Sequence, residues 1–311
     1  MGEANSDAVR AFLSRALDDA GLFPPALLSM SDALAAHERA ASGPYGWILG
    51  RFLVPASRLA ELNEALETRS TPLRTSVVFD GVTLDRYAAV LREMHAVSGR
   101  LAIEAIELRL SDVRGDDAAV KAASLTAMAS AGGFAEPPST YVEIGIEDDA
   151  HLELELQALL PPTPGVATHR YAKVRTGGLD ATAVPPPGRL AQFIARTRDL
   201  GIPFKATAGL HHAVRQRDAG AGFAMHGFLN VFGAAVLART HAFDRAKLEA
   251  ILLDESAPDF RLSARCFEWR SAIVEAAEIA AARRDSIHSF GSCSLEEPIA
   301  DLLALGILGT R

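Results

Sequence analysis

The feature that most limits what this chain can fold into is an alternation of strand-like and helix-like stretches that runs from residue 47 to the end. Trp47 to Val54 is a compact apolar run, and from Ala56 to Leu66 the apolar positions return every three or four residues. The first is the signature of a buried strand, the second of an amphipathic helix. The pair repeats with strands at 75–79, 102–110, 140–146, 170–176, 203–208, 260–267 and 286–290. Helices are expected between them at 84–96, 117–131, 151–160, 189–200, 227–239, 243–253 and 271–284, with a closing helix at 297–305. Strands separated by helices call for a parallel sheet, and eight such units call for closure into an α/β, (β/α)8 TIM-type barrel. The alternative is an open doubly wound sheet, but the first half lacks a Gly-x-Gly-x-x-Gly turn.

Two helical stretches, 5–20 and 25–41, precede the first apolar run and are joined by the breaker Phe23-Pro24-Pro25. The division read from the sequence is therefore an N-terminal helical extension over 1–43 and a barrel domain over 44–311. The apolar faces of that helix pair offer a surface on which a second copy could dock. Met1 to Ser6 match the short myristoylation pattern, although the arginine-rich, lysine-poor composition is of bacterial character. Cys266 and Cys293 make neither a disulfide framework nor a metal cluster, and no secretory or membrane-spanning run is present, so a cytoplasmic protein is expected. A net charge of −8 argues against nucleic acid as a partner.

Within this frame the lysines stand out. The chain has 27 arginines but only four lysines. Two of them, Lys173 and Lys205, fall inside neighbouring strands. Unlike arginine, lysine can become a neutral amine when buried, which suits Schiff-base or general-base chemistry. Successive strand side chains point to opposite faces. In 141–147 the apolar set Val142, Ile144 and Ile146 faces the helices, leaving Tyr141, Glu143, Gly145 and Glu147 inward. The same reading turns Glu107 and Arg109 inward, places Lys173 with Arg175, and places Lys205 with Thr207. Charges inside a barrel are tolerated near its solvated C-terminal mouth, where barrel enzymes work. The same residues would also serve as an ion network that fills the barrel.

His211, His212, Arg215 and His226 follow the Lys205 strand, and the histidines could act as acid, base or ligand near neutral pH. Their spacing matches no known zinc pattern. The last strand runs into Gly291, Ser292, Cys293 and Ser294 ahead of a helix, where free backbone N–H groups could bind an anion or Ser294 could simply cap the helix. Cys293 has no base beside it in sequence.

Lys173-Val-Arg-Thr-Gly-Gly178, Lys205-Ala-Thr-Ala-Gly209 and Phe290-Gly-Ser-Cys-Ser294 together resemble the late strands of class I aldolase barrels of the deoxyribose-phosphate aldolase type. The resemblance covers about a fifth of the chain. It implies that Lys173 forms the imine, that Lys205 tunes it, and that Gly291 and Ser292 hold a phosphate. The family carries its lysines one strand later than the fifth and sixth strands counted here, and its lysine-to-turn separation is about half as long. It also has an Asp where this chain offers Glu107. The chain is similar, too, to bacterial proteins of unknown function that share the Arg-Thr-Gly-Gly and Lys-Ala-Thr-Ala-Gly-Leu-His-His stretches.

The expectation is a barrel enzyme acting on a small anionic metabolite, carboxylated or phosphorylated, next to a carbonyl and without a cofactor or metal. Lys173 or Lys205 would be the reactive amine, with the other lysine lowering its pKa. Glu107, Glu143 or His212 would move protons. Arg109, Arg175, Thr207, His211, Arg215, His226 and the Gly291, Ser292, Ser294 turn would hold the substrate. A barrel-type phosphoribosyltransferase would use the same groups for pyrophosphate with Mg²⁺, and a non-catalytic ligand-binding barrel would need no reactive lysine.

Overall fold

The computed structural model describes residues 7–309 apart from 68, 70, 83, 98, 110–136, 162–168, 219 and 221. The helix expected over 117–131 and the Met1–Ser6 motif lie outside the described residues. A short helix, α1 (Ala8–Leu13), capped by Asp7, leads into β1 (Leu17–Asp19). Then come α2 (Met30–Ser42), β2 (Leu49–Pro55), α3 (Leu59–Ala65), β3 (Leu73–Val78), α4 (Leu84–Ala96), β4 (Leu101–Arg109) and β5 (Ser139–Glu143). The chain continues through α5 (Asp149–Leu159), β6 (Arg170–Arg175), α6 (Pro187–Leu200) and β7 (Phe204–Thr207).

An excursion follows: a small hairpin, β8 (Gln216–Arg217) and β9 (Ala224–Met225), the helices α7 (Phe228–Thr240) and α8 (Arg245–Leu253), and three antiparallel strands. These are β10 (Phe260–Leu262), β11 (Cys266–Trp269) and β12 (Ala272–Glu275). Helix α9 (Ala276–Asp285), β13 (Ile287–Ser292) and α10 (Glu296–Ala304) complete the chain. Strands β1 to β7 and β13 form one closed, eight-stranded parallel barrel in the order β1-β13-β7-β6-β5-β4-β3-β2. The fold is thus the α/β, (β/α)8 type that the alternation predicts.

Two assignments differ from the sequence reading. Residues 1–43 are not a helical extension outside the barrel, because β1 pairs in parallel with both β13 and β2 and closes the sheet. Helix α2 is therefore the first crossover helix. The run at 260–267 is not a barrel strand but the start of the antiparallel β10–β11–β12 sheet. The physical reason lies in α7, whose residues from Phe228 to Ala238 are all buried. A helix apolar all round needs cover on its outer side as well as against the barrel. Phe267 supplies part of it, with its ring in the space a Cβ on Gly233 would fill. Phe12 of α1 adds to it, 4.9 Å from Phe267 and 5.7 Å from Phe232 between ring centroids. With one strand lost and one gained the count stays at eight, and the lysine strands become the sixth and seventh.

Candidate active site at the barrel mouth

Period-two alternation brings the inward charges of five strands into one stack. Register pairs Glu107 with Tyr141, Glu143 with Lys173, and Lys173 with Lys205 across neighbouring strands. At its base Lys205, with no exposed surface, donates from Nζ to Asp18 Oδ2 and Glu107 Oε1, both at 2.6 Å. Ser289 Oγ donates to the same Asp18 oxygen at 2.7 Å, Ser76 Oγ to Glu107 Oε1 at 2.9 Å, and the Arg51 backbone N–H to Asp18 Oδ1 at 2.8 Å. One layer up, Lys173 Nζ lies 3.0 Å from Glu107 Oε2 and 3.2 Å from Glu143 Oε2. Arg109 and Arg175 both reach Glu143 Oε1, at 2.8 and 3.2 Å. The Tyr141 ring lies beneath, 5.5 Å from the Lys205 ammonium.

The electrostatics follow from this layering. Burial opposes the ionised form of Glu107, but the ammonium groups of Lys205 and Lys173 outweigh it and hold the carboxyl well below its usual range. Burial likewise opposes charge on Glu143, and Lys173, Arg175 and Arg109 lower it nonetheless. For Lys205, burial disfavours the ammonium, yet Asp18 and Glu107 raise its pKa. Lys205 is locked as a cation.

Above the stack opens a cleft of about 460 Å³, a size suited to a small metabolite. Glu107, Glu143, Lys173, Arg109 and Arg175 form its charged floor and side, and Phe23, Leu53, Val78 and Phe79 an apolar wall. Thr207, His211 and Gly291 line it as well. Lys205 does not. Gly177 and Gly209 let the lysine strands converge at the rim, because a Cβ on either would come within 2.8 Å of the other's Cα.

The remaining residues singled out in the sequence sit elsewhere. His212 is turned toward α10, 3.2 Å from Asp301 and 3.3 Å from Asp218. Arg215 faces Glu255 at 3.4 Å, and its backbone N–H donates to Asn230. His226 is buried against the Pro185 carbonyl at 2.9 Å, and that burial pushes it down to about 4. None of the three lines the cleft. Loop conformation decides this, and periodicity does not encode it. Ser294 Oγ accepts from the Glu297 backbone N–H at 3.2 Å and Ser292 Oγ from that of Ser294, so both hydroxyls cap the turn before α10.

Sequence reasoning missed Asp18, the acid that anchors Lys205, because a three-residue strand has no readable period. It also left Cys293 without a base. The fold brings His211 Nε2 to 3.9 Å from its Sγ, with His211 Nδ1 held 3.0 Å from Glu297. Among the described residues no group of three or more His, Cys, Asp and Glu side chains is placed to hold a metal, and no helix is long and apolar enough to cross a membrane. No protein-family model matches the chain, and no curated protein matches it.

Proposed function

We propose that this barrel is an enzyme acting on a small carbonyl-bearing anion, with Lys173 as the imine-forming amine in lyase-type chemistry beside the carbonyl. One observation carries the reading. Of two lysines at partner positions, Lys173 opens on the cleft, whereas Lys205 is sealed beneath it as a fixed cation and shares Glu107 with it. A purely structural network would have no need to present one amine to a cleft of metabolite size.

In this reading the Lys173 ammonium first gives up a proton to solvent in the cleft; the free amine then attacks the carbonyl carbon, the C=O electron pair moves to oxygen, and water leaves as the imine forms. Glu107 and Glu143 remain ionised and orient the amine, which makes them poor proton carriers. His211, on the cleft wall and paired with Glu297, is better placed to move protons. Arg109 and Arg175, with side chains 44% and 41% exposed, present guanidinium edges to the substrate's anionic group. The strand count supports the aldolase resemblance, since Lys173 and Lys205 lie on the sixth and seventh strands. The excursion through α7, α8 and the antiparallel sheet accounts for the long separation between Lys205 and Gly291.

Borohydride trapping against a pool of small aldehydes, keto acids and sugar phosphates tests the proposal by intact mass and peptide mapping. The expected product adds the substrate less one water plus two hydrogens, maps to Lys173, and disappears in Lys173→Arg. No adduct across the pool, or one on a surface lysine alone, would return the network to a structural role.

A further inference from the structure

The far end of the barrel carries a second concave site that shares no lining residue with the mouth cleft. Below the Tyr141 ring, at the N-terminal ends of the strands, lies a cavity of about 860 Å³ bordered by Arg15, Arg51, Arg74, Arg283, Glu104 and His169. Three guanidinium groups converge there on a single carboxylate. Arg15 Nη2 and Arg74 Nε lie 2.9 and 2.7 Å from Glu104 Oε1, and Arg51 Nε lies 3.1 Å from Oε2. Asp18 also borders the cavity, but its Oδ2 is taken by Lys205 and Ser289 and its Oδ1 by the Arg51 backbone. His288 is no competitor for an anion, since its nitrogens engage the Tyr141 hydroxyl and the Arg284 carbonyl.

The charges do not cancel. Four guanidinium groups, those of Arg15, Arg51, Arg74 and Arg283, meet two carboxylates, Glu104 and Asp18, in a half-buried recess, with Arg283 donating to the carbonyls of Ser14, Ile287 and His288. Donors remain as well: Arg51 Nη1 and Nη2, and Arg15 Nε and Nη1, make no hydrogen bond to a described residue. A network serving stability alone gains nothing from surplus cations held together, because like charges repel and each is partly desolvated. A group with several acceptor oxygens and more than one negative charge would relieve the repulsion and use the planar guanidinium edges in pairs.

We infer that this recess at the N-terminal end of the barrel strands is a binding site for a phosphoryl-bearing small anion, held by Arg15, Arg51 and Arg74 around Glu104. It is separate from the lysine chemistry and stands whether or not Lys173 forms an imine.

Inorganic pyrophosphate is the probe, with binding followed by isothermal titration on the full chain and contacts mapped by phenylglyoxal modification of arginines. Pyrophosphate should protect Arg15, Arg51 and Arg74 from modification. Affinity should fall at least about tenfold in Arg15→Gln, a substitution at a half-exposed side chain that leaves the core intact, and again in Arg74→Gln. Lys173→Met and Arg175→Gln should leave the protection of Arg15, Arg51 and Arg74 unchanged. Protection confined to Arg109 and Arg175, or affinity lost in Arg175→Gln but not in Arg15→Gln, would place the anion at the mouth and overturn the inference. No saturable binding would show that the chain's own carboxylates, Glu104 and Asp18, are all the cluster takes, and citrate binding as tightly as pyrophosphate would overturn the phosphoryl assignment.

Discussion

Lys173 and Lys205 occupy partner positions one strand apart, yet removing them should have unequal consequences. Without Lys205, Asp18 and Glu107 lose their shared cation in a layer whose side chains have no exposed surface, and breaking a buried pair from one side costs about 3–5 kcal/mol. Without Lys173, Glu107 keeps Lys205 and Glu143 keeps two arginines, so the loss should be about 1–2 kcal/mol. Urea unfolding of Lys173→Met and Lys205→Met measures the difference. Equal destabilisation would mean that both ammonium groups share the load, against the division into a presented and a sealed lysine. The same contrast explains what the sequence made visible at this scale. Glu107, Glu143, Lys173 and Lys205 are legible because strand alternation turns them inward whatever the rest of the chain does. Asp18 is not legible, because its neighbours Leu17 and Asp19 give no alternation to read. Asp19 points the other way, to His37 of α2 at 2.9 Å.

At the scale of elements, the junction of β6 and β7 positions the reactive end of the cleft. Thr176 donates from its backbone N–H to the Thr207 carbonyl at 2.8 Å and from Oγ1 to that of Ala208 at 2.5 Å, binding the two strands beyond their last ladder pair. Ala208 and Gly209 then turn at φ values of +62° and +77°, the left-handed region that glycine adopts at least cost. Because the two glycines touch, Gly177→Ala should force the strands apart, with a loss of about 1–3 kcal/mol and slower trapping at Lys173. The urea midpoint and the adduct rate read the two effects separately, and an unchanged rate would show that the rim does not set the lysine's position. Element type was readable where partners were not. Phe260-Arg-Leu262 alternates buried, exposed, buried as a strand should, but local alternation is the same whether the partner is parallel within the barrel or antiparallel in a covering sheet. The need for that cover arises from α7, which ends at Thr240 and lies outside the window in which the alternation at Phe260–Leu262 is read.

For the whole molecule, the buried titratable groups set how stability responds to acid, and they act in two successive windows. Burial keeps His226 neutral in the fold, with its pKa pushed down to about 4, whereas an unfolded histidine protonates near about 6.5. Between these values the unfolded chain binds more protons than the folded one, so stability falls as pH drops through that range. The carboxylates behave differently in position but alike in sign. Glu107 and Glu143 are lowered in the fold, so their contribution is complete above about pH 4.3 and is lost only as pH falls below it. Lys205, raised by Asp18 and Glu107, loses its contribution only on the alkaline side, above about pH 10.4. Mild acid should therefore weaken the fold through histidine while the lysine stack stays intact. From pH 7.5 to 5 the His226 share is about 2 kcal/mol. His226→Gln keeps a donor for the Pro185 carbonyl and has nothing to titrate, so its urea-derived stability should fall less over that range by about the same amount. An identical pH dependence in both proteins would mean that His226 meets water in the fold, and the early acid loss would then have to come from His288, which burial also pushes down to about 4 at the barrel's opposite end.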